Sequence, residues 1–202
     1  MIGIFGGTFD PVHFGHLRAA DEARELLSLA DFRLLPAGNP PHRSRTFAPA
    51  AHRLAMLRLA LEGHTDLWAD DREARRTGYS YMVDTLAEIR REEGDVPVLL
   101  IIGQDAANTL DSWHEWRKLF NLAHIVIMRR PESSHDYSGA LLRQVQQRLI
   151  TDPGHLRESS SGMVLPLELT QLAISSSHIR QQIGSGKSVR FLMPENVIHY
   201  IY

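Results

Sequence analysis

The sequence predicts an α/β fold: a Rossmann-like, doubly wound, mostly parallel sheet flanked by helices. Two observations carry this. Strand-length apolar runs alternate with stretches of helical periodicity along the whole chain. Two of the runs, VPVLLII at 96–102 and IVIM at 125–128, are continuously apolar, as strands covered on both faces must be. With 202 residues, 43% hydrophobic and 23% charged, the chain has a globular composition and a length suited to a single domain spanning 1–202.

The elements follow in order. Residues 1–5 form a short apolar strand that runs into Gly6 and Gly7. Leu17, Ala20, Ala23, Leu26 and Leu27 recur at helical spacing, which predicts a helix over 15–30. Residues 32–35 are a second strand closed by Pro36, and 37–47, with Gly38, Pro40 and Pro41, are a loop. Pro49 opens a helix carrying Leu54, Leu57 and Leu61, which Gly63 ends. A third strand is expected at 67–69 and a helix at 80–93, with Val83, Leu86 and Ile89 inward. The two apolar runs are strands, 163–169 is the last strand, and helices are expected at 113–122, 138–149, 176–183 and 194–201. Residues 130–139 and 158–162 are loops, and no internal repeat is present.

Composition narrows the chemistry. A formal net charge of −2 gives no support for a general nucleic-acid binder or a polybasic membrane anchor. The chain has no cysteine, which excludes disulfides, thiolate nucleophiles and thiolate metal sites. No apolar run approaches the ~18 residues of a membrane span, and MIGIFGGTFD does not read as a signal peptide, so cytoplasmic residence is expected. A homo-oligomer is compatible with these features.

In a doubly wound sheet, ligands collect beyond the carboxyl ends of the strands, the first above all. Here that position holds GGTFDPVHFGH, residues 6–16. Paired glycines let the backbone approach a ligand and expose its N–H groups. The following helix aims its unpaired amides and positive dipole end at the same place, which suits a polyphosphate. His13 and His16 stand three apart at the helix entry and can face one ligand. Neither G-x-G-x-x-G nor G-x-x-x-x-G-K-S/T occurs at this turn. Two other readings stay open: the histidines cap the helix, or they ligate zinc, for which no third ligand is evident. Near the other end, ISSSHIR (174–180) reads as a serine-capped helix start with Arg180 one turn inside, a second anion-binding arrangement.

GGTFDPVHFGH closely resembles the N-terminal signature of the nicotinate mononucleotide adenylyltransferases, within the nucleotidyltransferases that carry an H-x-G-H motif. The resemblance runs nearly end to end. ISSSHIR is similar to the family's I-S-x-x-x-I-R, SYMVDTL to S-Y-x-x-x-T-L, IGQD to I-G-x-D, DSWHEW to the aromatic acceptor loop, and NPPHR to a loop whose basic residue approaches phosphate. It implies adenylyl transfer from ATP to nicotinate mononucleotide, giving nicotinate adenine dinucleotide and pyrophosphate, with Mg²⁺ as cofactor held mainly by ATP phosphates. It implies catalytic roles for His13, His16 and Arg180, and ATP binding by Gly6, Gly7, Thr8, Phe9, Gly15, Gly103, Asp105, Ile174, Ser175 and Ser176. It places the acceptor against Arg43, Thr85, Trp113 and His114, with Trp113 stacking on the pyridine ring and backbone amides near Thr85 and His114 receiving its carboxylate. The second phosphate motif falls in a helical part at about 174–202. His178 stands at a variable position and takes no role. Nicotinamide mononucleotide or phosphopantetheine as acceptor, and a nucleotide-sensing domain without turnover, are the alternatives.

Overall fold

Strand order reverses once in this sheet, and that reversal sets where a ligand can sit. The computed structural model of the protein describes residues 1–39, 46–129, 136–170 and 172–202. Its six strands are β1 (Ile2–Gly7), β2 (Asp31–Pro36), β3 (Leu67–Ala69), β4 (Val98–Gly103), β5 (His124–Arg129) and β6 (Val164–Glu168). They lie in the order β3-β2-β1-β4-β5-β6, and every pairing is parallel. The connections run one way from β1 to β3 and the other way from β4 to β6. Between β1 and β4 the strand ends therefore part, and a crevice opens there.

The helices are α1 (Phe14–Leu26), α2 (Ala50–Ala60), α3 (Arg72–Arg75), α4 (Met82–Glu93), α5 (Gln104–Asn108), α6 (Trp116–Leu122), α7 (Gly139–Arg148), α8 (Ser176–Gly184) and α9 (Glu195–Ile201). Alternate residues of each strand feed opposite faces. Phe5, Leu99, Ile101, Val126 and Met128 face Ala20 and Ala23 of α1, Leu57 of α2, Ile179 of α8 and Val197 of α9. Ile4, Leu100, Ile102, Ile125 and Ile127 face Leu86 and Ile89 of α4, Leu119 of α6 and Val145 of α7. The central strands are buried along their length, as their unbroken apolar runs require.

Two helix starts differ from the periodicity. The helix expected from residue 80 starts at Met82, because Ser80 is buried and its amide turns back to the Asn39 carbonyl at 3.1 Å. The helix expected from residue 113 starts at Trp116, after a 3₁₀ turn at Leu110–Ser112 and a left-handed Glu115 (φ 49°). Short helices α3 and α5 lie below the length at which apolar periodicity is readable.

Candidate active site

The turn after β1 is shaped by what its glycines lack. A Cβ on Gly7 would stand 2.8 Å from the Phe9 ring, so only glycine lets that ring fold back beneath the turn. Phe9 is itself left-handed (φ 49°) and buried, and its ring meets that of His16 edge-on at 5.0 Å. His13 occupies the N-cap of α1 with extended backbone, yet its side chain caps no amide. Instead its ring stacks on His16, with centroids 3.7 Å apart and planes 25° from parallel. The capping reading is thereby set aside. Zinc is disfavoured too: stacked rings do not converge two nitrogens on one ion, and no cluster of three or more His, Cys, Asp or Glu suited to a metal exists among the described residues.

The electrostatics of the pair follow from burial. His13 is only 4% exposed, and withdrawal from water lowers its pKa to about 4. His16 falls to about 3, through burial first and the neighbouring His13 second. Both rings are therefore neutral at physiological pH. Each has a buried Nδ1 with no partner among the described residues. A buried polar atom without a partner is costly unless something else supplies one.

Helix α8 arrives from the far end of the chain and is tied to this turn. Ser175 caps it, accepting from the His178 amide at 3.2 Å. Ser176 Oγ donates to the Pro11 carbonyl at 2.9 Å, and Arg180 donates to the Asp10 carbonyl at 2.6 Å. Arg180 also lies 5.9 Å from the Phe47 ring. The Ser176 and Ser177 amides, in the first turn, have no intrahelical acceptor and line the same space as the imidazoles.

That space is a cleft of about 1900 Å³, well beyond the ~300–1,000 Å³ of a pocket for one small ligand. It has room for two substrates end to end. Its lining brings together Gly6, Gly7, Thr8, Phe9, His13, Gly15, His16, Gly103, Asp105, Trp113, His114, Ile174, Ser175, Ser176 and Arg180, residues spread over the whole chain. The histidines and α8 hold one end. At the other, Trp113 is half-buried after the 3₁₀ turn, and exposed His114 lies against Tyr81 with ring centroids 4.3 Å apart.

Two expected acceptor residues stand apart. Thr85 does not line the cleft. It is fully buried, its hydroxyl lies between Glu73 (2.7 Å) and Arg76 (2.9 Å), and its amide is spent inside the helix on the Tyr81 carbonyl. The amides that α4 leaves without an intrahelical acceptor belong to Met82 and Val83 in its first turn. Arg43 lies outside the described residues. Conversely, Tyr81, Gln104 and Asn108 line the cleft with no role foreseen. Tyr81 could have been suspected from its place just ahead of the α4 start, whereas Gln104 and Asn108 depend on the short α5.

Comparison with known proteins agrees with the fold and the motifs. Residues 4–182 match the cytidylyltransferase-like family. A probable nicotinate-nucleotide adenylyltransferase from Methylococcus capsulatus is 50% identical over 203 residues, covering 100% of this chain and 97% of that one. Its counterpart from Acidithiobacillus ferrooxidans is 42% identical, covering 98% and 91%. Among solved structures, the Plasmodium falciparum nicotinic acid mononucleotide adenylyltransferase complexed with NaAD superposes with a TM-score of 0.73 at 17% identity, covering 99% and 93%. The chain belongs to the cytidylyltransferase-like family and, within it, to the nicotinate-nucleotide adenylyltransferases.

Proposed function

We propose that the protein transfers AMP from ATP to the phosphate of nicotinate mononucleotide, releasing pyrophosphate and forming nicotinate adenine dinucleotide, a step in NAD synthesis. The observation that carries this reading is the junction of α8 with the β1–α1 turn, which sets Arg180 and two helix N-termini around one end of a two-substrate cleft.

A phosphate oxygen of the mononucleotide attacks the α-phosphorus of ATP, and the bond to the bridging oxygen of the β-phosphate breaks. The nucleophile is already ionised, so no proton has to be removed and no general base is needed. The barrier is the approach of one anion to another, which positioning and charge neutralisation lower. His13 and His16, neutral when the site is empty, act as hydrogen-bond donors to the α-phosphate and gain proton affinity as it binds. Arg180 and the Ser176 and Ser177 amides hold the departing pyrophosphate. Gly6, Gly7, Thr8, Phe9, Gly15, Gly103, Asp105, Ile174 and Ser175 shape the ATP side. Trp113 offers its face to the electron-poor pyridine ring. The His114 amide, together with those opening α4 rather than that of Thr85, receives the ring carboxylate.

Of the cleft's three carboxylates, Asp10 is committed to backbone amides, Glu73 is buried and accepts from Thr85 and Gly38, and Asp105 is exposed, a donor set that fits a cation arriving on the triphosphate rather than one caged by the chain. Mg²⁺ bound to phosphate oxygens would offset the charge on the pyrophosphate. Residues 1–202 work in this reading as one nucleotidyltransferase unit. No described helix is long and apolar enough to cross a membrane, and the reading places the reaction in the cytoplasm.

The test is pyrophosphate release from ATP and Mg²⁺ with nicotinate mononucleotide, nicotinamide mononucleotide or phosphopantetheine as acceptor. Fastest release with nicotinate mononucleotide is expected. Preference for another acceptor would replace the substrate, and no release with any would replace the reaction.

A further inference from the structure

Arg53, on α2, is 0% exposed, although it stands outside the cleft and contributes nothing to its lining. Burying a guanidinium is expensive, so its donors must be used well. Among the described residues they reach three separate pieces of backbone: Nε donates to the Ala48 carbonyl at 3.1 Å, one terminal nitrogen to the Thr8 carbonyl at 2.8 Å, and the other to the Gly38 carbonyl at 2.9 Å. Thr8 belongs to the glycine turn on the triphosphate side. Gly38 and Ala48 are the two stems of the connection between β2 and α2.

Each stem has a second restraint. The Asp10 carboxylate accepts from the Phe47 amide at 2.6 Å and the Ala48 amide at 3.1 Å, while its own carbonyl takes the bond from Arg180. Gly38 donates to the buried Glu73 carboxylate at 3.3 Å and is packed so closely that a Cβ would overlap the Glu73 carbonyl. The stem at 47–48 in turn sets Phe47, itself 82% exposed, with its ring under the Arg180 guanidinium. A planar guanidinium spreads its donors over three nitrogens and so reaches three separate carbonyls, whereas the donors of an ammonium radiate from a single atom.

We infer that Arg53 is a positioning residue for adenylyl transfer: its guanidinium, helped by Asp10, locks the glycine turn after β1 to the stems at 38–39 and 46–48 and so fixes how the ATP side of the cleft faces the acceptor side. The inference rests on the proposed reaction. It predicts a particular kinetic signature. Beyond the turn that holds Thr8, the groups assigned to the substrates, His16 of α1, Arg180 of α8, Trp113 and His114, lie on elements that Arg53 does not bond, so each substrate still binds when the lock loosens. Their mutual alignment is what suffers, and a displacement of about 1 Å between reacting groups can cost on the order of a hundredfold in rate.

The experiment compares wild type, Arg53→Lys and Asp10→Asn, each scaled to its folded fraction by circular dichroism and thermal melting. Both variants are expected to lose about ten- to a hundredfold in kcat, while KM for ATP and for nicotinate mononucleotide each move by less than about threefold. Arg53→Ala supplemented with guanidinium chloride at tens of millimolar is expected to recover turnover that methylammonium chloride does not restore. Should Arg53→Lys fail to fold, Asp10→Asn carries the same prediction from the other side of the stem. An unchanged kcat per folded molecule, or a loss confined to one substrate's KM, overturns the positioning role. A wild type that releases no pyrophosphate sinks the proposed reaction instead, so the two failures are told apart.

Discussion

At His16 the fold places an imidazole whose Nδ1 is buried and without a partner among the described residues, beside a second ring in the same condition. Both rings line the cleft, so each Nδ1 is placed to pair with what enters it. His16→Ala is therefore expected to lose turnover by about 10²–10³, the usual effect of deleting one donor to a developing charge, while its melting temperature moves little. A kcat equal to wild type would remove His16 from the mechanism. Trp113, half-buried at the other end, carries a different expectation. Trp113→Ala should raise KM for the pyridine nucleotide far more than KM for ATP, measured by steady-state kinetics with each substrate varied in turn. Equal effects on both would mean that the ring does not stack on the acceptor. At this scale the sequence marks both histidines and Arg180, because short motifs fix their spacing. It does not foretell their protonation: the low pKa values come from burial against Phe9 and against each other, a consequence of tertiary packing.

Helix α8 is the element that completes the site, and its start is held by few bonds. Ser175 caps it and Ser176 fastens it to the Pro11 carbonyl. Ser175→Ala should cost about 1 kcal/mol of stability, as loss of a helix cap generally does, and raise KM for ATP by disordering the amides of Ser176 and Ser177. Chemical denaturation and kinetics on the same variant check the two halves. A wild-type KM would mean that those amides do not bind phosphate. Strands β1, β4 and β5 and the longer helices were legible because apolar period and length report them directly. Other features were not. Helix α5 spans five residues, so Gln104 and Asn108 entered the lining unannounced. Thr85 read as an acceptor residue from its place in SYMVDTL, but its partners Glu73 and Arg76 come from α3 and the turn after it, which the sequence did not reveal.

For the whole molecule, the neutral histidines, His13 buried and His16 half-buried, make stability depend on pH. His13 titrates near 6.5 when unfolded and near 4 when folded, and His16 near 3. Between those values the unfolded chain holds more protons, so stability falls as pH drops from 6.5 toward 3–4 and is insensitive to these groups above 6.5. From His13 alone the loss is on the order of 3 kcal/mol. Melting curves of the ligand-free protein should show this decline, and His13→Asn should flatten it. An equally steep acid decline in that variant would assign it to other groups. The strand order placed the crevice between β1 and β4, but only folding reveals that α8 reaches it, through bonds that span 165 and 170 residues. The ATP site depends on that convergence. Its most direct test is kcat/KM for ATP in wild type, His16→Ala, Arg180→Ala and the double variant. One shared triphosphate site predicts that each single change lowers the constant by about a hundredfold and that the double loses less than the product of the two. An Arg180→Ala enzyme with wild-type kcat/KM would contradict it.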